Sequence, residues 1–83
     1  MRYAIVIERA EHNYSAYVPD VDGCVAVGDT VEDVTAQIAE ALAFHFEGMA
    51  EDGEAIPAAT SLVATVDVAL PANAIVADAI RAD

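Results

Sequence analysis

Residues Tyr17 to Thr30, YVPDVDGCVAVGDT, run straight into VEDVTAQIAEALAFHFEGMAEDGE, and this junction restricts the folds open to the chain. Tyr14, Ala16 and Val18 alternate with Ser15 and Tyr17, the period of a half-buried strand. Pro19 stops that strand. The run Pro19-Asp20-Val21-Asp22-Gly23 then reads as a turn, with Gly23 supplying positive φ, and Cys24 to Val27 reads as a short returning strand. Gly28-Asp29-Thr30 converts that strand into a helix. Thr30 is the expected N-cap, its hydroxyl accepting the Asp33 amide, with Glu32 and Asp33 in the first turn where the helix dipole favours negative charge. Val31, Val34, Ile38, Ala41, Leu42, His45 and Met49 share one side at 3.6-residue spacing, and Glu32, Asp33, Glu40 and Glu47 share the other. Gly53 is the expected C-cap, and Pro57 prevents the helix from resuming.

Upstream, Tyr3 to Glu8 alternates as a strand, with Tyr3, Ile5 and Ile7 on one face. Arg9 to Asn13 has the length of a hairpin connection. Three strands joined this closely predict an antiparallel meander. Downstream, Leu62, Ala64, Val66, Val68 and Leu70 alternate over a segment that Pro71 ends, predicting a last strand that adds beside the first. The reading is an α+β fold, β-β-β-α-β, with a mainly antiparallel sheet and one long helix packed on one face. Residues 1–70 form the domain. Residues 71–83 are a tail in which Ile75, Val76, Ala79 and Ile80 fall at helical spacing, giving either a short helix or a frayed end.

Fifteen acids against three arginines, with no lysine, give a net charge of −12 on 83 residues. Phosphate neutralisation supplies most non-specific nucleic-acid affinity, so direct DNA or RNA binding is not expected. The acidity instead suits solubility or the steering of a basic partner. No apolar run reaches the length of a membrane span. The single cysteine cannot form an internal disulfide, which favours a cytoplasmic protein. A chain of this size has a marginal core, and a sheet with one helix leaves one face and two edges open. Tyr3, Tyr14 and Tyr17 are expected partly on that face, and a homodimer or higher oligomer is expected to cover it.

Tyr17-Val18-Pro19-Asp20, Gly23-Cys24, Gly28-Asp29-Thr30, Glu40-Ala41-Leu42 with His45, and Asp52-Gly53-Glu54 before Ile56-Pro57 form an ordered set. In that order and spacing they resemble the HicB family of antitoxins from type II toxin–antitoxin systems, over roughly residues 1 to 70. The resemblance implies a truncated ribonuclease-H-like first module. It also implies a partner, a small basic HicA-type ribonuclease that cleaves messenger RNA and is neutralised by binding. Many family members continue into a C-terminal DNA-binding module, for which residues 71–83, with one arginine, are not a counterpart. Tyr17, Pro19, Gly23, Cys24, Gly28 and Thr30 carry the family pattern as structural residues. A stand-alone oligomeric regulatory module without a toxin is the alternative reading.

A ribonuclease-H-like fold raises the question of two-metal nuclease chemistry, which needs carboxylates converging on paired divalent ions. Glu8, Glu40 and Asp67 come from comparable elements, but Glu40 is expected to point away from the sheet, so no catalytic set, metal site or cofactor is expected. Asp20, Asp22 and Asp29 lack calcium-loop spacing, and Asp20 and Asp29 read as turn formers. Cys24, with His12 or His45 as possible bases, reads as a small buried hydrophobe, and His45 as a core histidine. Phe44 falls about 120° from Ile38 on the helical wheel, off the core stripe and beside Glu40 and Glu47. Phe44 is therefore the candidate interface anchor, with Glu40, Glu47, Asp20 and Asp22 as the acidic residues of a partner-binding surface.

Overall fold

The computed structural model describes residues 1–77. Three strands, β1 (Val6–Arg9), β2 (Tyr14–Val18) and β3 (Val21–Gly28), precede one helix, α1 (Val31–Glu51). The sheet is antiparallel in the order β1-β2-β3, as the short connections predict. The first hairpin closes on an Ala10 N–H donated to the Asn13 carbonyl at 2.9 Å. Ile7, Ala16 and Ala26 lie in register across the face that packs on the helix. Val6, Tyr17 and Val25 lie in register across the opposite face.

Two details differ from the sequence expectation. Pairing starts at Val6 rather than Tyr3, because the positions that would face Ala4 and Tyr3 on β2 are Pro19, which has no N–H, and the turn residue Asp20. Tyr3 and Ile5 still pack on the core. The β2–β3 connection is confined to Pro19-Asp20, so Asp22 and Gly23 lie inside β3. Tyr17 faces Val25 while Val18 faces Val21, leaving Asp22, Gly23 and Cys24 as a bulge. Gly23 sits at φ 79°, where a Cβ is disfavoured. The bulge shifts the alternation by one residue, and that is why both Val21 and Cys24 reach the core.

The helix starts and stops as the sequence predicts. Thr30 is extended, and its Oγ1 accepts the Asp33 N–H at 3.0 Å. At the other end the Glu54 N–H bonds the Met49 carbonyl and the Gly53 N–H bonds the Ala50 carbonyl, with Gly53 at φ 72°. That pair of bonds is a Schellman motif. The core is Ala16, Val18, Val21, Cys24, Val34 and Ile38, supported by half-buried Tyr3, Ile5, Ile7, Tyr14, Ala26, Ala41, Leu42 and Phe46. Burying side chains of the size of Val34 and Ile38 contributes about 1.5–3 kcal/mol each. In so small a core the cap matters too. Thr30→Ala should lower stability by about 1 kcal/mol in denaturant titration, while Thr30→Ser should not.

The helix also departs from its expected stripe. Val31 is substantially exposed, and Phe46, which the stripe omitted, packs its ring 5.3 Å from that of Tyr3. A 21-residue helix is about 31 Å long, whereas β2, with five residues, spans about 17 Å, so the second half of α1 overhangs the sheet. Tyr3 and Phe46 fill the space beneath the overhang. Consequently Tyr3 and Tyr14 belong to the helix-facing side, and Tyr17 alone of the three tyrosines looks onto the open face.

Leu62 to Leu70 is not paired into the sheet. It leaves the domain as an exposed arm, and the radius of gyration is 16.3 Å against about 12 Å for a compact domain of this length. Alternation states that a segment can pair, and no edge of its own chain receives it. The α+β class and the β-β-β-α order hold, while the last β element is unpaired within the single chain. Beyond the arm, the Ala74 N–H bonds the Pro71 carbonyl in a turn, and the rest of the helical spacing noted in the tail, at Ala79 and Ile80, lies outside the described residues.

Candidate docking groove and the Asp20 clasp

Where the overhanging half of α1 passes β3, an open groove forms between Gly23, Cys24 and Val25 on the strand and Ala41, Phe44, His45, Gly48 and Met49 on the helix. The bulge shapes its strand wall and the small residues Ala41 and Gly48 lower its helix wall. Phe44 is 78% exposed at its rim. Asp52 and Glu54 close one end. Asp22 adjoins Gly23, and Glu40, Glu47 and Glu51 lie within one helical turn of Phe44 or Gly48, all exposed.

The charge distribution breaks a local rule. The last turn of α1 has no basic residue, and Glu47, Glu51, Asp52 and Glu54 crowd the end where the dipole is negative. The fold itself offers no benefit from this arrangement, and a cationic surface laid on the groove would relieve it. Such departures are characteristic of binding sites.

Of the acidic residues assigned to a partner surface, Asp22, Glu40 and Glu47 border this groove. Asp20 does not stand free. Its Oδ2 accepts the backbone N–H groups of Thr60 and Ser61 at 2.9 Å each, and its Oδ1 accepts their hydroxyls at 3.1 and 2.7 Å. With the Tyr3 hydroxyl donating to the Pro57 carbonyl, this clasp fixes the root of the arm at the β2–β3 turn. The sequence reading of Asp20 as a turn former missed this long-range role, since nothing near Asp20 in sequence signals Thr60. The Ser61 backbone and side-chain donors, then those of Thr60, hold the Asp20 carboxyl below its ordinary pKa of 3.8. Because the folded value lies below the unfolded one, the clasp is at full strength above that range and is lost as pH falls through the folded value. Protection of the Thr60 and Ser61 amides relative to intrinsic exchange should therefore be high at neutral pH, fall in acid, and be absent at all pH values in Asp20→Ala, as read by NMR.

The remaining candidates separate. Cys24 is buried, and burial pushes its thiol pKa up, opposite to what a nucleophilic cysteine requires. His45 shares the groove wall with Cys24 and lies 6.4 Å from the Phe46 ring, half-buried at the overhang rather than in the core as its stripe position suggested. His12 is on the exposed β1–β2 loop, and Asp29 is exposed just before the helix. Glu8 lies on the open face of the sheet, Glu40 on the outer side of α1, and Asp67 on the arm, so the structure does not bring the three together. Among the described residues no cluster of His, Cys, Asp and Glu could hold a metal ion, and no helix is long and apolar enough to cross a membrane.

The pattern residues earn their places through geometry. Pro19 makes the tight turn, Gly23 the bulge, and Gly28 lets the first turn of α1 approach the sheet, since a Cβ there would lie 2.6 Å from the Val34 backbone nitrogen. The family model of the HicB-like antitoxin of bacterial toxin–antitoxin systems matches residues 3–79. The chain belongs to the HicB-like antitoxin family. It is 46% identical over 57 residues to an uncharacterised 14.9 kDa protein in the rep-hol intergenic region of Haemophilus phage HP1, covering 69% of this chain and 43% of that protein. It is 32% identical over 65 residues to a UPF0150 protein of Helicobacter pylori strain J99, covering 77% of this chain and 90% of that one. Among solved structures, a chain of the HicA3 and HicB3 toxin–antitoxin complex superposes with a TM-score of 0.59 at 34% identity, covering 66% of this chain and 64% of its own. The HicB-like chain thus spans less than half of the phage relative and about two thirds of the matched structure.

Proposed function

We propose that this HicB-like chain is a non-catalytic inhibitor that binds a small basic HicA-type messenger-RNA-cleaving toxin and masks its active site or RNA-binding surface. The observation that carries this reading is an exposed Phe44 at the rim of a largely apolar groove, bordered among the described residues by acidic side chains and by no Lys or Arg, on a chain of net charge −12. An aromatic anchor surrounded by charge is how compact interfaces gain both residence time and specificity. Family membership and the likeness to a toxin–antitoxin complex support the same partner. Glu40, Glu47 and Asp22 would face the toxin's cations, raising the association rate, while Phe44 would limit dissociation. Excluding RNA from a cationic surface requires no chemistry of the inhibitor, and the scattered positions of Glu8, Glu40 and Asp67 give no basis for a nuclease. The reading places the protein in the cytoplasm, working as a homodimer or higher oligomer.

The test is to look for a small basic HicA-type protein in the flanking gene and to purify the chain together with it. A complex that abolishes RNA cleavage at stoichiometric ratio is expected, with an association rate that falls as salt rises. Failure to form a complex, or cleavage that persists in it, would leave the stand-alone regulatory module as the better reading. The exposed apolar arm, which suits self-association, is the observation in that module's favour.

A further inference from the structure

The arm Leu62–Leu70 is apolar throughout except for Thr65 and Asp67, yet its large side chains are between 62% exposed, at Leu70, and 95% exposed, at Leu62. It is anchored at its root by Asp20 and extends about 30 Å if fully extended. Nine residues whose two polar positions, Thr65 and Asp67, both fall between the apolar set Leu62, Ala64, Val66, Val68 and Leu70, with no pairing in their own chain, are a strand without a sheet. The sheet, for its part, has an unpaired β1 edge. Beside that edge runs an open groove lined by Ile7, Arg9, Tyr14 and Val31, which a neighbouring strand's inward side chains would fill.

We infer that the arm of one copy adds as a fourth strand to the β1 edge of a second copy, so that the HicB-like chain is a reciprocal strand-exchanged dimer. This rests on the self-association in the proposed function and names its segment and its seat. Charge selects the edge. Two chains of −12 repel, but between Ala55 and Ala77 the only charged residue is Asp67, and β1 with its lead-in carries both described arginines, Arg2 and Arg9, against one acid, Glu8. The β3 side is crowded with acids and holds the Phe44 groove, so it suits a cationic partner and not a second copy of this chain. Area is sufficient. Two arms whose residues each lose roughly 45 Å², covering as much again, reach the ~1,600 Å² of a standard interface. Exchange also caps the exposed β1 edge, which otherwise invites aggregation.

The experiment compares the full chain with Val66→Pro and Asp67→Pro, made separately, without toxin, by light scattering and amide hydrogen exchange. Adjacent positions are chosen because successive N–H groups of a strand point to opposite sides, so one of the two prolines removes a bond to the partner. The arm contributes nothing to the buried core of the single chain, so both variants should keep the helical circular dichroism of the parent. The expected result is a parent of twice 8.6 kDa at micromolar concentration with protected arm amides, and at least one proline variant dissociating at more than 100-fold higher concentration. A monomeric parent with unprotected arm amides overturns the inference. So does a monomer with protected ones, which would mean the arm closes on its own β1. A dimer indifferent to both prolines also overturns it, while leaving the toxin reading and self-association intact. Arm amides protected only when toxin is added would assign the arm to the toxin and likewise overturn it.

Discussion

Replacing Phe44 by alanine should leave the melting temperature of the free protein within a degree or so of the parent and weaken inhibition of the toxin by about 30-fold or more. The first half follows from the structure. Phe44 is 78% exposed and outside the core, and alanine is the best helix former, so the substitution removes little buried area and costs no propensity. The second half follows from the proposed docking. An aromatic anchor at the centre of an interface contributes about 2 kcal/mol or more, and each 1.4 kcal/mol is tenfold in affinity. Titrating the toxin with each inhibitor and following RNA cleavage reads the effect directly. Glu40→Gln with Glu47→Gln should act differently, slowing association and flattening its salt dependence while changing dissociation little. Equal inhibition by Phe44→Ala and the parent would show that the β3–α1 groove is not the docking surface.

Gly28→Ala should destabilise the fold by about 3 kcal/mol, a large share of what a domain of this size possesses. The added Cβ would lie 2.6 Å from the Val34 nitrogen, 2.9 Å from its Cα and 3.0 Å from the Asp33 carbonyl carbon. All three are helix backbone at the point where the N-cap of Thr30 and the burial of Val34 are both set, so no side chain can move aside. The first turn must lift, loosening Val34 and then Ile38. For a domain of 60–100 residues about 3 kcal/mol corresponds to a fall in melting temperature of roughly 12–24 °C. Gly48→Ala is the matching control. Its Cβ meets nothing within 4 Å, so the same substitution should raise stability by about 0.5–1 kcal/mol through helix propensity. Equal effects at the two positions would contradict the close packing of α1 on β3.

Several elements were legible because their causes are local. Thr30 caps through an amide three residues away, Gly53 closes the helix through its own backbone, and the alternation of Tyr14 to Val18 is contained within one strand. The exposure of Phe44 was likewise legible, since its angle to Ile38 depends only on helical geometry. The groove in which Phe44 sits was not. It depends on the length by which α1 overhangs the sheet and on the bulge at Asp22 to Cys24, and neither leaves a periodic trace. Asp20 looked like a turn former because its partners are 40 and 41 residues away.

The sequence by itself determined three strands, a capped acidic helix, a strongly negative net charge, and one aromatic displaced from the core stripe. Each is a property of spacing or of summed charge, which folding does not alter. Tertiary structure decided that Tyr3 and Phe46 close the core beneath the overhang, that Asp20 holds Thr60 and Ser61, and that Leu62 to Leu70 finds no edge in its own chain. Alternation fixes which side of a strand is apolar, but the edge that receives a strand is set by where the chain has been led, and here the clasp at Asp20 leads it outward.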